Sequence, residues 1–185
     1  MHTVVIDLNG LLCDRRSRPL PGRAADMVLA RTHIYVRPYA RGFVRWLLHT
    51  FRVGVWSSAA SHNVDPMVDL IFGSDRNKLH FVWSQSQCTP LRHLDSPRPV
   101  LAKSLHSLFA AFPEIERSRT LLIDDSEEKA SLNPACTAMH PTTWSAADAP
   151  FDDFLAPGGK LREWLMMMNG APNVPSFIGS NAIVT

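Results

Sequence analysis

The sequence predicts an α/β fold, with a mainly parallel sheet and helices on both faces. Three observations carry this expectation. Short apolar runs rich in β-branched residues recur at residues 3–8, 52–56 and 120–123. Between them lie segments whose apolar residues fall three and four apart, the spacing of one buried helix face. Each run ends in polar side chains, and in open α/β sheets ligands bind outside the carboxyl ends of the strands.

Taken in order, "TVVIDL" at residues 3–8 reads as the first buried strand. Residues 14–31 begin rich in Arg, Pro and Gly and read as a loop, with a short helix near 24–30. Residues 33–37 read as a short strand. Pro38 suits the first turn of the next helix, and Phe43, Val44, Leu47, Leu48 and Phe51 keep to one face of it. "RVGVW" at 52–56 is the second core strand, closed by Ser57 and Ser58. A helix is predicted over 64–72, with Pro66 in its first turn, and a strand over 79–83. Residues 100–112 read as a helix on the spacing of Leu101, Leu105, Leu108 and Phe109. The third apolar strand, 120–123, ends in Asp124 and Asp125. A short helix at 127–132, a last strand at 135–139 and a helix at 161–168 follow the same logic, the last after the Pro157-Gly158-Gly159 turn. The tail, 170–185, reads as an extended segment that drapes or frays.

The chain has 185 residues, 45% hydrophobic and 19% charged, which favours a single domain over 1–185 with an ordinary core. Two stretches, 14–31 and 74–99, are long enough for small inserts near the site and too short for a separate cap domain. No apolar run approaches the roughly 20 residues of a membrane helix, and the N-terminus lacks the features of a secretory signal. Cys13, Cys88 and Cys136 lie far apart in sequence and form no CxxC pair. A reducing, intracellular compartment, nuclear or cytoplasmic, fits that pattern better than a disulfide framework. The eight histidines give no zinc spacing.

Net charge is +2, yet residues 13–45 hold eight arginines against two acids. This is either a solvated face or a surface for an anionic partner such as a phosphorylated protein, with Arg37 a candidate substrate contact. Nucleic acid is a distant alternative, because aromatic residues hardly interleave with the arginines. The sequence leaves the oligomeric state undefined.

The polar groups at the strand ends form one constellation: Asp7 with Asn9, Ser57 with Ser58, and Asp124 with Asp125, joined by Lys103 ahead of the third strand. Each alone is an ordinary turn or cap residue. Together they suit phosphoryl transfer. A rigidly held carboxylate, Asp7, can attack phosphorus. Three neighbouring carboxylates repel one another without a cation, and Mg²⁺ prefers such oxygen ligands. Lys103 adds positive charge for Asp7 and the transferred group, while the Ser57 hydroxyl and adjacent backbone N–H groups, towards Ser58, can hold phosphate oxygens.

The stretches "VVIDLNGLL", "YVRPYARGFVRWL", "VGVWSSAASHNVDPMVDLI", "LAKSLHSL" and "LLIDDSEEKA" carry a resemblance. The chain resembles the haloacid dehalogenase superfamily, and within it the NLI-interacting-factor-like branch of RNA polymerase II C-terminal-domain phosphatases. The resemblance implies a Rossmann-like fold, an Asp7 nucleophile that is also a magnesium ligand, phosphate binding at Ser57 and charge neutralisation by Lys103. It also implies metal binding or orientation by Asp124 and Asp125, with the backbone carbonyl of Asn9 as a further ligand. A phosphorylated protein or peptide is the implied substrate, and Trp83 is a candidate to contact it, packing being the other reading.

The chain departs from the family pattern at two positions. The family motif has Asp-x-Asp, then one residue, then Thr; here the run is Asp7-Leu8-Asn9-Gly10-Leu11. Asn9 can donate a hydrogen bond but cannot shuttle a proton, and general acid–base catalysis is worth about 10²–10⁴-fold. A slow phosphatase and a catalytically inactive module that binds a (phospho)protein are the two readings that follow. The same fold serves, by resemblance, as a peptide-binding part of a mitochondrial import complex. An engineered substrate trap is disfavoured, since a single designed change at position 9 would have left the threonine in place of Leu11. Asn9-Gly10 is also a deamidation-prone pair, which would restore an acid.

Overall fold

The computed structural model describes residues 1–92 and 99–181. Strand β1 (Thr3–Ile6) is followed by β2 (Cys13–Arg16), β3 (Met27–Leu29) and β4 (Thr32–Val36). Helix α1 (Ala40–Thr50), strand β5 (Arg52–Trp56), helix α2 (Ser61–Phe72) and strand β6 (Phe81–Trp83) come next. Strands β7 (Thr89–Leu91) and β8 (Val100–Ala102) precede helix α3 (Leu105–Ala111) and strand β9 (Thr120–Ile123). Strand β10 (Ala138–Met139) and helices α4 (Lys160–Asn169) and α5 (Val174–Ser180) complete the chain.

The central sheet has five strands in the order β10-β9-β1-β5-β6, and its pairings are parallel. Residue alternation along β1 divides the core into two layers. Val4 and Ile6 pack with Phe43 and Leu47 of α1, Met67 and Ile71 of α2, and Leu165 of α4. Val5 faces the other way, with Leu105 and Leu108 of α3 and Leu122 of β9. The fold is therefore an α/β layer structure with helices on both faces, as the alternation of strands and helices predicts. Gly54 in the middle of β5 leaves room for the Phe81 ring, which lies where a Cβ would project.

Register fixes the site. Ile6 pairs with Val55 on one side and with Ile123 on the other. The next residues, Asp7, Trp56 and Asp124, therefore stand level at one border of the sheet, with neighbouring strands about 4.8 Å apart.

Several elements differ from the sequence expectation. No helix covers 24–30; β3 stands there and forms a small antiparallel sheet, β2-β4-β3. Its hairpin turns at Ala30, which takes φ 54°, and an alanine gives no turn signal of the kind glycine or asparagine would. The predicted 100–112 helix is two elements: β8 pairs antiparallel with β7, and α3 starts only at Leu105. The apolar spacing of Leu101 and Leu105 thus bridges a strand and a helix. Helix α2 begins three residues early, at Ser61, so Pro66 lies in its interior. The 127–132 segment is a 3₁₀ helix, Glu127–Ala130. The C-terminal segment folds as α5: the Asn173 side chain accepts from Ser176 N at 2.9 Å, and Val174 is fully buried. Part of the 74–99 insert, residues 93–98, and the last four residues of the tail lie outside the described residues. No helix among the described residues is long and apolar enough to cross a membrane.

Candidate active site

Strand ends place the acids and the register aligns them. Asp7 is 1% exposed and Asp124 fully buried. One ligand atom from each of Asp7, Asp124 and Asp125 lies within 4.8 Å of the other two. Asp7 Oδ1 accepts from Leu8 N at 2.8 Å and meets Lys103 Nζ at 3.0 Å. Lys103, fully buried, also reaches Asp124 Oδ2 at 2.5 Å. Ser126 N donates to Asp124 Oδ1 at 2.9 Å.

A second ammonium enters the same cluster. Lys129 Nζ lies 3.1 Å from Asp7 Oδ2, 3.2 Å from Asp124 Oδ1 and 3.7 Å from Asp125 Oδ1. The sequence reasoning missed it, although it closes the quoted stretch "LLIDDSEEKA"; a lysine five residues after the first acid of the pair was the available signal. The backbone ties the two lysines together, since Lys103 N donates to Lys129 O at 2.7 Å. Asn133 was also missed. Its side chain donates to Lys103 O at 2.8 Å and accepts from Leu105 N at 2.7 Å, which fixes the turn that carries Lys103 into α3.

The electrostatics follow from burial and these charges. Burial favours the protonated form of Asp124, but Lys103 and Lys129 outweigh it and hold the carboxyl below its usual range. Burial dominates at Asp125 and raises its pKa, against the Thr143 hydroxyl and Lys129. Burial disfavours the Lys129 ammonium, yet Asp7, Asp124 and Asp125 together raise its pKa.

The donor set fits a small divalent cation. Three carboxylates converge, and Thr143 Oγ1 donates to Asp125 Oδ2 at 2.7 Å, which steers that side chain. The other oxygen, Asp125 Oδ1, is buried with no hydrogen-bond donor. Gly10 makes this possible: it takes φ 81°, and a Cβ there would overlap Asp125 Oδ2.

Ser57 is buried; its N–H donates to Trp83 O at 3.0 Å and its hydroxyl accepts from Ala59 N at 3.3 Å. Ser58 is half-buried in the same turn. A groove of about 520 Å³ adjoins this turn, lined by Ala60, Ser61, Ser84, Ser86, Cys88 and Leu101. Asn9 is exposed, and its Oδ1 accepts from Arg15 N at 3.0 Å, so the amide organises the following loop. Leu11 is fully buried in the main core.

Two expected substrate contacts have other neighbourhoods. Arg37, 5% exposed, forms a two-pronged pair with Asp152 at 2.7 and 2.9 Å and donates to Leu11 O at 3.1 Å. A guanidinium buried this far is held by protein acceptors, so Arg37, the expected substrate contact, stands in an ion pair with Asp152. Trp83 is half-buried, edge-on to Trp56 at 4.8 Å and near Phe81 at 5.0 Å, so packing is its main contact.

Comparison with known proteins gives the family and the fold. The NLI interacting factor-like phosphatase family matches residues 2–174. An uncharacterised FCP1 homology domain-containing protein of Schizosaccharomyces pombe is 27% identical over 142 residues, 71% of this chain and 57% of that protein. The fold is similar to that of the fission yeast RNA polymerase II CTD phosphatase Fcp1 bound to beryllium fluoride, at TM-score 0.56 and 16% identity, over 78% of this chain and 42% of that one. A protein from Listeria monocytogenes has TM-score 0.54 and 12% identity, over 92% of this chain and 100% of its own. The chain thus spans about half the length of the curated relative and of the yeast phosphatase chain.

Proposed function

The chain belongs to the NLI interacting factor-like phosphatase family, and we propose that it is a magnesium-dependent phosphatase of the protein serine/threonine kind, slowed by Asn9. One observation carries the reading: Asp7, Asp124 and Asp125 converge on a single point beside Lys103. Asp7, Asp124 and Asp125 would hold the ion, with the Asn9 backbone carbonyl as a further ligand. When bound, the ion would offset carboxylate repulsion and the charge of the phosphoryl oxygens.

Asp7 attacks phosphorus through a carboxylate oxygen, and the bond to the leaving serine or threonine oxygen breaks. The product is an aspartyl-phosphate, later cleaved by water. Lys103 pairs with Asp7 and orients it, and the Ser57–Ser58 turn receives the phosphate. The departing alkoxide needs a proton, and the incoming water must lose one. Asn9 does neither, so turnover favours activated leaving groups. The groove lined by Ala60, Ser61 and Ser84, which begins two residues past Ser58, supports a phosphorylated protein or peptide as substrate. Free cysteines fit a nuclear or cytoplasmic setting.

The test compares phosphate release by this chain and its Asn9→Asp variant, with and without Mg²⁺. Asn9→Asp is expected to raise turnover of alkyl phosphates by about 10²–10⁴-fold. The gain should be smaller for an aryl phosphate with a good leaving group. No phosphate release by either protein, with no label on Asp7, sinks the enzymatic reading. A second reading is favoured by the Asn9 contact with Arg15: a module that binds phosphorylated protein without turnover. Such a module holds its partner without Mg²⁺ and keeps it after Asp7→Asn.

A further inference from the structure

Lys103 accounts for the lysine the family pattern leads one to expect, and Lys129 is left without a role. It is not a surface lysine that happens to lean inward. Its side chain is 22% exposed, its carbonyl is fixed by Lys103 N at 2.7 Å, and its N–H donates to Ser126 O at 3.2 Å. An ammonium has three donors, and this one lies 3.1, 3.2 and 3.7 Å from three separate carboxylates. These are the carboxylates that could hold a metal ion.

We propose that the Lys129 ammonium is a tethered counter-cation, seated among Asp7, Asp124 and Asp125 and competing with a divalent ion for the same oxygens. This rests on the magnesium reading of the site. Three carboxylates against two ammonium groups leave one formal negative charge. A divalent ion added with Lys129 in place would reverse the sign and set two like charges side by side in a mostly buried space, where screening is weak. Removing the ammonium and adding the ion leaves the cluster neutral. The site therefore holds either cation more readily than both. The chain should stand folded without metal, and bind magnesium weakly until Lys129 swings out through its exposed side.

The experiment measures Mg²⁺ and Mn²⁺ affinity at constant ionic strength, and Tm in EDTA and in saturating Mg²⁺. The proteins are the unaltered chain, Lys129→Met, Lys129→Arg and Asp125→Asn. The proposal expects Lys129→Met to bind Mg²⁺ at least about tenfold more tightly, a difference of roughly 1.4 kcal/mol. It expects Lys129→Arg to stay weak. In EDTA, Lys129→Met should melt below the unaltered chain and recover in Mg²⁺, while the unaltered chain moves little. If Lys129→Met does not fold in EDTA, Lys129→Gln in Mg²⁺ gives the affinity comparison. Equal affinities for the unaltered chain and Lys129→Met, both lost in Asp125→Asn, overturn the counter-cation and leave the magnesium reading standing. No binding by any of the proteins overturns both.

Discussion

At the scale of single residues, the site depends on what is small at position 10. Gly10 has φ 81°, and its missing Cβ is the space that Asp125 Oδ2 fills. Gly10 O also accepts from Trp144 N at 2.7 Å, so the backbone cannot retreat without breaking that bond. Gly10→Ala adds a left-handed penalty of about 1–2 kcal/mol and pushes Asp125 aside. The expected result is a lower Tm, read by thermal melting in EDTA, together with weaker divalent-ion binding, read by direct titration of Mn²⁺ into Gly10→Ala and the unaltered chain. Asn9, its neighbour, shows local geometry overriding a sequence hazard. Deamidation needs Gly10 N to reach the Asn9 side-chain carbonyl. That nitrogen donates to Cys13 O at 2.8 Å, and Asn9 Oδ1 is held by Arg15 N. Peptide mass spectrometry of aged folded protein should therefore find Asn9 intact, with conversion only after denaturation.

At the scale of elements, the turn from β8 into α3 decides where Lys103 points. Ser104 makes no side-chain cap at the start of α3; Asn133 caps it instead from a loop 28 residues away. Asn133→Ala removes the cap and leaves Lys103 O without its donor, at about 1–2 kcal/mol for such a cap and bond together. The Tm should fall by roughly 3–6 °C for a chain of this size, and turnover should fall with it because Lys103 loses its alignment. Asn133→Asp, which can still accept from Leu105 N, should recover part of the stability. These elements also show which parts could be read in advance. Strands β5 and β9 fall where predicted, because their apolar runs are bounded by polar residues on both sides. Asp7, Ser57 and Asp124 could be read for the same reason, each being the residue at which such a run stops. The β8–α3 segment could not, because one apolar spacing runs unbroken across a strand, a turn and a helix. Lys129 was hidden because a lysine four residues after Asp125 on a short helix looks like any solvated i, i+4 pair. Only the folded chain puts Asp7, 122 residues away, against it.

At the scale of the whole molecule, the start of β1 is locked against the end of α4. His2 is 3% exposed, and its Nε2 is buried without a hydrogen-bond partner. Its backbone O accepts from Arg52 N at 3.0 Å, which continues the β1–β5 pairing. Around the ring lie the Ala171 backbone and the Asn169 side chain at the end of α4, with Arg119 adding positive charge. Burial is the largest influence and lowers the imidazole pKa from 6.5; Arg119 acts in the same direction, and the two hydrogen-bonding groups oppose it. The folded chain holds the proton less tightly than the unfolded chain, so the unfolded state binds more protons as pH falls. The stability His2 contributes is fully present above 6.5 and declines as pH falls below that value, until the folded imidazole itself titrates. Melting between pH 8 and 5 should show Tm falling on the acidic side, and His2→Phe should flatten that part of the curve by removing the titrating group while keeping the packing. An unchanged slope in His2→Phe would assign the acid sensitivity to other groups and leave the junction between β1 and α4 without a titrating role.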